Sequence, residues 1–314
     1  MRAIAVKKFK DAPEMMDLPK PEPGEGEILV RLGAAGVNPF DVKIANGALD
    51  GVMPHVFPLI LGIDGAGIVE KVGPGVTRFA VGDGAFGQFL HPPVGLGTYA
   101  EYITAPESIG ISKTPRGIYS SQAAAVPTAG MTAQLAIDQL ALTKGQKLLI
   151  LGAAGGVGSF ATQMAANLGI HVLAAARGKQ GEYLRKLGAW EFFDLESASL
   201  MDDIGFSHPG GVDALLNLVH TGPEFERFLP ALREGGVAAS TIGAADDAVL
   251  KPHNLRGLNL DLKPTSALLD RVAAEISTGR LRVLVDAQVP LAEAPSALER
   301  LRGGHLHGKL VLQI

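Results

Sequence analysis

Cysteine is absent from all 314 residues. That removes disulfides, thiolate nucleophiles and every cysteine-bearing zinc site at once, and it fits a reducing compartment. Charge is also sparse: charged residues make up 19% of the chain, the formal net charge is -4 and the pI is near 6.1. Lys and Arg are scattered along the chain, so there is no basic field for nucleic acid. No apolar run approaches the ~18 residues of a membrane helix. The start, "MRAIAVKKFKDAPEMMDLP", has early basic residues but lacks the apolar core of a signal peptide. These exclusions predict a soluble, cytoplasmic protein with neither nucleic acid nor membrane as partner.

Apolar residues, at 47%, and glycine, at 40 residues, are plentiful. A chain of this length is expected to form two lobes of roughly 100–200 residues each. Up to about Pro115, short apolar runs such as "EILVRL", "GAGIVEKV" and "TYAEYIT" alternate with Gly- and Pro-rich turns, which predicts a compact β-rich domain. From about Ser121 the units lengthen: a helix "TAGMTAQLAIDQLAL", strands "KLLIL" and "HVLAAA", then "DALLNLV" and "GVAASTI", with helical spacing between them. That alternation predicts a parallel sheet with crossover helices. The expected organisation is a β-rich domain over 1–117, a dinucleotide-binding domain over 118–257 and a segment over 258–314 that completes the two lobes.

The strongest local chemistry lies in "KLLILGAAGGVGSFATQMAANLG". An apolar strand ends at Leu151, glycines follow and a helix opens near Val157, with Val157, Phe160, Ala161, Met164, Ala165 and Leu168 on one face. Ala153, Gly155 and Gly158 match G-x-G-x-x-G with Ala in the first place. Gly155 lets backbone approach a pyrophosphate, Gly158 lets helix and strand pack closely, and the helix N-terminus at Gly156 and Val157 offers N–H groups to the anion. A merely tight strand–helix turn is the plainer alternative. An NAD-binding fold places an acid about 20 residues beyond this loop. Here Arg177, Gly178 and Lys179 follow "HVLAAA". Cations there favour a 2′-phosphate, so NADPH is the expected cofactor.

The stretch "AAGVNPFDVKIANG", Ala34 to Gly47, reads locally as a polar turn after a strand. Together with "PLILGIDGAGIVEKVGPGVTRFAVGD", "GTYAEYITA", "QAAAVPTAGMTAQLAI", "ILGAAGGVG" and "HLHGKLVLQI", it resembles the medium-chain dehydrogenase/reductase superfamily, in its zinc-independent quinone oxidoreductase branch. The resemblance implies an α/β fold: a Rossmann-type doubly wound parallel sheet plus a β-rich GroES-like catalytic domain. Where the zinc-dependent alcohol dehydrogenases carry a catalytic Cys and a Gly-His-Glu segment, this chain has Asn38 and Gly62-Ile63-Asp64. A carboxamide and a hydrocarbon do not make a zinc site. The loop from Phe86 to Gly97 is also too short for that branch's structural zinc lobe.

By the same resemblance Asn38, Thr128, Val219, Ile242, Gly243 and Lys309 serve the nicotinamide half of the cofactor. Phe40, His55, Phe86 and His91 belong to the pocket-forming parts. Asp41 reads as a turn or cap residue, and Trp190 as core packing before Asp194. His305 and His307 could be a metal pair, but a surface turn accounts for them better; Ser159 is better read as the start of a helix than as a nucleophile. Without a metal, acceptors that spread the incoming charge are best served, which points to quinones or to activated C=C bonds of α,β-unsaturated carbonyls. A noncatalytic NADPH-binding sensor and a dedicated enoyl thioester or natural-product reductase are the alternatives. Family members are commonly dimers, so a homodimer is expected.

Overall fold

The computed structural model describes residues 1–304 and 306–314. The chain divides into two units, one formed by Met1–Thr128 with Pro264–Ile314 and the other by Ala129–Lys263. In chain order the first part holds β1 (Arg2–Val6), β2 (Glu14–Asp17), β3 (Glu27–Gly36), α1 (Pro39–Ala45), β4 (Leu59–Ile60), β5 (Asp64–Val72), β6 (Gly84–Gln88), β7 (Tyr102–Pro106), β8 (Ile111–Lys113), α2 (Ser120–Ala124) and α3 (Pro127–Leu140). The middle holds β9 (Lys147–Leu151), α4 (Gly156–Asn167), β10 (His171–Ala176), α5 (Gly181–Lys186), β11 (Glu191–Asp194), α6 (Leu200–Ser207), β12 (Val212–Asn217), α7 (Pro223–Glu226), β13 (Leu232–Ser240), α8 (Asp247–Leu250) and β14 (Arg256–Asn259). The chain closes with α9 (Ser266–Ser277), β15 (Val285–Pro290), α10 (Ala294–Gly303) and β16 (Lys309–Gln313).

In the first unit β3 is the spine. Its run "EILVRLGAAG" is buried at most positions, and it pairs antiparallel with β5, β7 and β16. The sheet runs β15-β16-β3-β5-β6-β8, with β7 also on β3. β1, β2 and β4 form a smaller sheet. One apolar cluster gathers Ile4, Val6, Leu59 and Leu61 with Leu310 and Leu312, so the last strand helps to close the core begun by the first. The strands after residue 264, which composition alone could assign to either lobe, thus return to the first.

In the second unit all six strands are parallel, in the order β11-β10-β9-β12-β13-β14. Numbered from β9, this is 3-2-1-4-5-6, the dinucleotide-binding order, with the switch point between β9 and β12. β9 and β10 are buried almost throughout, as parallel strands covered on both faces must be, and hence read as unbroken apolar runs.

Several expectations are corrected. The boundary expected at 117 falls at Thr128, because the chain stays in the first unit through α2, which packs on β3 and β5. The boundary expected at 257 falls at Pro264, since β14 adds a sixth strand to the parallel sheet. The stretch after Asn38 is not a polar turn but α1, with Pro39 at its first position. Leu168 is the C-cap of α4 and 54% exposed, outside the buried face. Trp190 is not core: it lies before the edge strand β11, 56% exposed and edge-on to the His171 ring.

Candidate functional site

In the second unit, the chain leaving β9 turns sharply at Gly152, whose φ of +88° is accessible to glycine at little cost. The N–H groups of Gly152 and Ala153 both donate to the Ala175 carbonyl, at 2.9 and 3.0 Å, which ties the loop to β10. Gly155 is the N-cap of α4 and brings no side chain to cap it, and the first turn holds no acidic residue. The early N–H groups of this twelve-residue helix are therefore left for an outside acceptor.

A Cβ at Gly158 would lie 2.3 Å from the Gly152 carbonyl oxygen and 2.6 Å from the Ala153 Cα, so the helix could not approach the strand end. A Cβ at Gly155 would meet only the Gly152 oxygen, at 3.5 Å, so the described residues leave space open beside Gly155. Gly152 was missed in the sequence because G-x-G-x-x-G was aligned with Ala153 in the first place; the left-handed turn falls one residue earlier.

The strand ends beside this loop are fixed by buried polar side chains. Asn217 accepts through Oδ1 from the Val219 and His220 N–H groups, at 3.2 and 3.0 Å, and donates to the His220 carbonyl at 2.7 Å. Val219 itself is half exposed, and a Cβ at Gly152 would lie 2.7 Å from its Cγ1, so it rests on the glycine turn. Ser240 Oγ accepts from Ile242 and Ala244 N–H at 3.2 and 3.1 Å, holding the turn through Ile242 and Gly243. Arg177 and Lys179 are exposed on the turn after β10. Ser159 donates its hydroxyl to the Gly156 carbonyl inside α4, at 3.0 Å, as a helix residue.

In the first unit the sequence-selected residues Asn38, Thr128 and Lys309 meet in one buried network. Lys309 Nζ donates to the Val37 carbonyl at 2.9 Å and to Asn38 Oδ1, and lies 3.8 Å from the Asp64 carboxylate. Asn38 Nδ2 donates to Asp64 Oδ2 at 3.0 Å. Thr128 donates to Asp64 from its N–H, at 3.1 Å to Oδ2, and from its hydroxyl, at 2.6 Å to Oδ1; it accepts from Gln88 Nε2 at 2.7 Å. Burial pushes the Asp64 carboxyl up and the Lys309 ammonium down in pKa, each opposed by the charge of the other.

Asp41 adjoins this network. Its Oδ2 accepts from the Asn38 N–H and from the Tyr99 hydroxyl, both at 2.8 Å, so it caps α1 as expected of a cap residue. It is also fully buried, and Oδ1 has no hydrogen-bond partner among the described residues. Desolvation raises its pKa to about 7, against the pull of the two hydrogen bonds and with a small push from the Asp64 charge. Tyr99, buried against these acids, is pushed well above its usual pKa. Tyr99 was not singled out in the sequence, and Asp64 was named there only as standing where the zinc-dependent branch has Glu. An acid inside "LILGIDGAGIV" was the available signal, since a carboxylate within an apolar run needs donors on arrival.

The pocket candidates separate. Phe40 is half-buried against the cluster of Ile4 and Leu310. Phe86 is fully buried on β6 and has no surface to offer a ligand as the chain stands. The His91 ring nitrogens face the carbonyls of Pro92 and Thr104, at 3.1 and 3.3 Å. The His55 ring stands edge-on to Phe9 at 5.0 Å, and its Nε2 has no hydrogen-bond partner among the described residues. His305 lies outside the described residues, and His307 stands 4.0 Å from Asp286. Among the described residues no three His, Cys, Asp or Glu side chains gather as a metal site. The Asn38–Asp64 pair does not suit zinc either: it supplies one carboxylate, already bound by three donors and an ammonium. No described helix is long and apolar enough to cross a membrane.

The model of the alcohol dehydrogenase GroES-like domain matches residues 24–116, and that of zinc-binding dehydrogenases matches residues 187–312. The chain is 32% identical to a chloroplast envelope quinone oxidoreductase homolog of Arabidopsis thaliana, over 96% of this chain and 93% of the relative. Among solved structures, an NAD-dependent alcohol dehydrogenase superposes with a TM-score of 0.88 at 30% identity, covering 100% of both chains. A mycobacterial protein complexed with NADPH superposes with a TM-score of 0.87 at 28% identity, again over 100% of both.

Proposed function

Because the chain belongs to the medium-chain dehydrogenase/reductase superfamily, in its quinone oxidoreductase branch, we propose that it is a zinc-independent, NADPH-dependent reductase of quinones or of activated C=C bonds. At the coarser level it is an oxidoreductase that uses a nicotinamide cofactor. The observation that carries the reading is the turn from Gly152 to Gly158, which delivers an uncapped helix N-terminus at the switch point of a 3-2-1-4-5-6 sheet.

The residues present fit the cofactor. Gly156, Val157 and Gly158 would take the pyrophosphate on N–H groups; Gly155, whose own N–H donates to the Gly152 carbonyl at 3.1 Å, would leave room for it, and Ala153 is tied to β10. Arg177 and Lys179 would take a 2′-phosphate, and Val219, Ile242 and Gly243 sit on loops pinned by Asn217 and Ser240. The bound dihydronicotinamide supplies a hydride. Asn38, Thr128 and Lys309 are assigned to the nicotinamide side of the reaction, where the network around Asp64 holds their dipoles and charge in place before any substrate arrives. Because Asn38 and Asp64 do not suit zinc, an acceptor that delocalises charge as a hydroquinone or enolate anion suits these residues better than a simple ketone. A cysteine-free chain supports a reducing, cytoplasmic setting, and a homodimer is proposed by analogy alone.

The decisive experiment gives the protein NADPH deuterated at its transferable hydrogen with an equimolar enone and quinone, and follows cofactor loss with product mass. Deuterium on carbon of the saturated ketone means alkene reduction. Hydroquinone without carbon-bound deuterium means quinone reduction, and no consumption of NADPH overturns the catalytic reading in favour of a binding protein. Gly158→Val should weaken NADPH binding by tenfold or more and cost about 1–3 kcal/mol of stability, because the added carbon collides with backbone. Titration calorimetry and urea melts read the two effects. Arg177→Glu should lower the NADPH-over-NADH ratio of kcat/KM by roughly tenfold to a hundredfold, as a cation facing phosphate becomes an anion; an unchanged ratio removes Arg177 from the site.

A further inference from the structure

Two exposed cations discriminate a 2′-phosphate only if the turn that carries them is held still. Within the turn after β10 the Gln180 N–H donates to the Gly178 carbonyl at 3.0 Å, while Arg177 and Lys179 are exposed and flank Gly178, whose φ is +70°. A tie from outside the turn comes from the neighbouring strand. β11 pairs in parallel with β10, with Asp194 opposite Ala176, so the last residue of β11 lies beside the start of this turn. Asp194 Oδ1 accepts from the Gly178 N–H at 3.2 Å and from the Glu196 N–H at 3.0 Å. One oxygen therefore ties together the turns that leave two adjacent strands. A second tie, Leu195 N–H to the Ala176 carbonyl at 3.0 Å, closes the same corner from the backbone.

We propose that Asp194 is a positioning residue for cofactor choice: by clamping the Gly178 N–H it fixes the turn that presents Arg177 and Lys179 to the 2′-phosphate of NADPH. This rests on the reading of those two residues as the 2′-phosphate contacts. The clamp needs an acceptor at the Oδ1 position and does not need the negative charge, which would work against a phosphate. An amide therefore does the work of the carboxylate, whereas a methyl group does not, and neither does a carboxylate carried one methylene farther out.

The test measures kcat/KM for NADPH and NADH, with one fixed quinone or enone acceptor, in the wild type and in Asp194→Asn, Asp194→Ala and Asp194→Glu. Loss of one partly buried hydrogen bond corresponds to a change of roughly three- to tenfold. The NADPH-over-NADH ratio should fall by that factor in Asp194→Ala and Asp194→Glu, through KM for NADPH with kcat little changed, and stay within about twofold of wild type in Asp194→Asn. Equal ratios in all four proteins overturn the proposal. A ratio that rises in both Asp194→Ala and Asp194→Asn also overturns it, since the carboxylate would then act by repelling phosphate. Should Asp194→Ala fail to fold, Asp194→Glu against Asp194→Asn decides the same question. Failure of the underlying reading looks different: a wild type without preference for NADPH, or an Arg177→Glu ratio equal to wild type, removes the phosphate contacts themselves.

Discussion

Lys309→Met lowers the unfolding free energy by about 3–5 kcal/mol at pH 7, because it leaves the Asp64 carboxylate buried without the ammonium that stands 3.8 Å from it. It also strips a donor from the Val37 carbonyl and from Asn38 Oδ1. Methionine preserves most of the volume, so the loss reads the charge and its hydrogen bonds instead of a cavity. Urea denaturation of the purified protein gives the number. Asp64→Asn combined with Lys309→Met should recover a large part of it, since the double variant buries neither charge of the pair, and with Asp64→Asn measured alone the cycle gives the coupling of the pair. A loss below about 1 kcal/mol in Lys309→Met would mean that the donors from Thr128 and Asn38 carry the carboxylate alone.

The second large effect is one of pH. Folding raises the Asp41 carboxyl from 3.8 to about 7, chiefly by desolvation, so the native protein keeps a proton that the unfolded chain gives up between those values. The native state binds more protons across that window, so the stability contributed by this group falls as pH rises and is lowest above about 7. Between pH 5 and pH 8 the loss is about 3 kcal/mol. The groups that face Asp41 are the Asn38 N–H, the Tyr99 hydroxyl and the charges of Asp64 and Lys309. Asp41→Asn reproduces the protonated form, with an acceptor for Asn38 and Tyr99 and no charge to bury. Its stability should change less over the same range, so the difference between the two proteins should grow with pH. Parallel urea curves for both, at several pH values, check this; a constant difference would show that Asp41 does not titrate there.

What could be read from the sequence follows from which forces are local. β9 and β10 were visible to the residue, as "KLLIL" and "HVLAAA", because a strand buried on both faces needs no partner to declare itself. β14, "RGLN", is half-buried at best and carries no apolar pattern, so only its neighbour β13 makes it a strand. α1 did leave a local signal: Asn38 and Asp41 stand at the spacing of a capping box, and Pro39 occupies the first helical position. The same residue types also make turns, and the turn was preferred. Trp190 misled because a lone large aromatic suggests a core, while its place beside an edge strand leaves half of it in water.

The candidate site divides along the same line. The glycine loop was legible because strand, turn and helix are contiguous, though Gly152 was passed over in favour of Ala153. The network of Asn38, Asp64, Thr128 and Lys309 was not legible as a network, because its members lie far apart in the chain and only folding brings them together. A resemblance could point to Asn38 and Lys309 separately, but it could not show that one carries the other.

The first unit is built from two separated lengths of chain, and the second from one. In a protein made from its N-terminus onward, every residue of the second unit exists before β15 and β16 do, so the parallel sheet can assemble while the first unit still lacks two strands. Until residue 309 emerges, Asp41 and Asp64 lack the charge of Lys309, and the edge of β3 that β16 will cover lies open. The last strand to be made thus arrives carrying both the missing edge and the missing counter-charge. Truncation just before Lys309 should spare the second unit and leave the first unable to close.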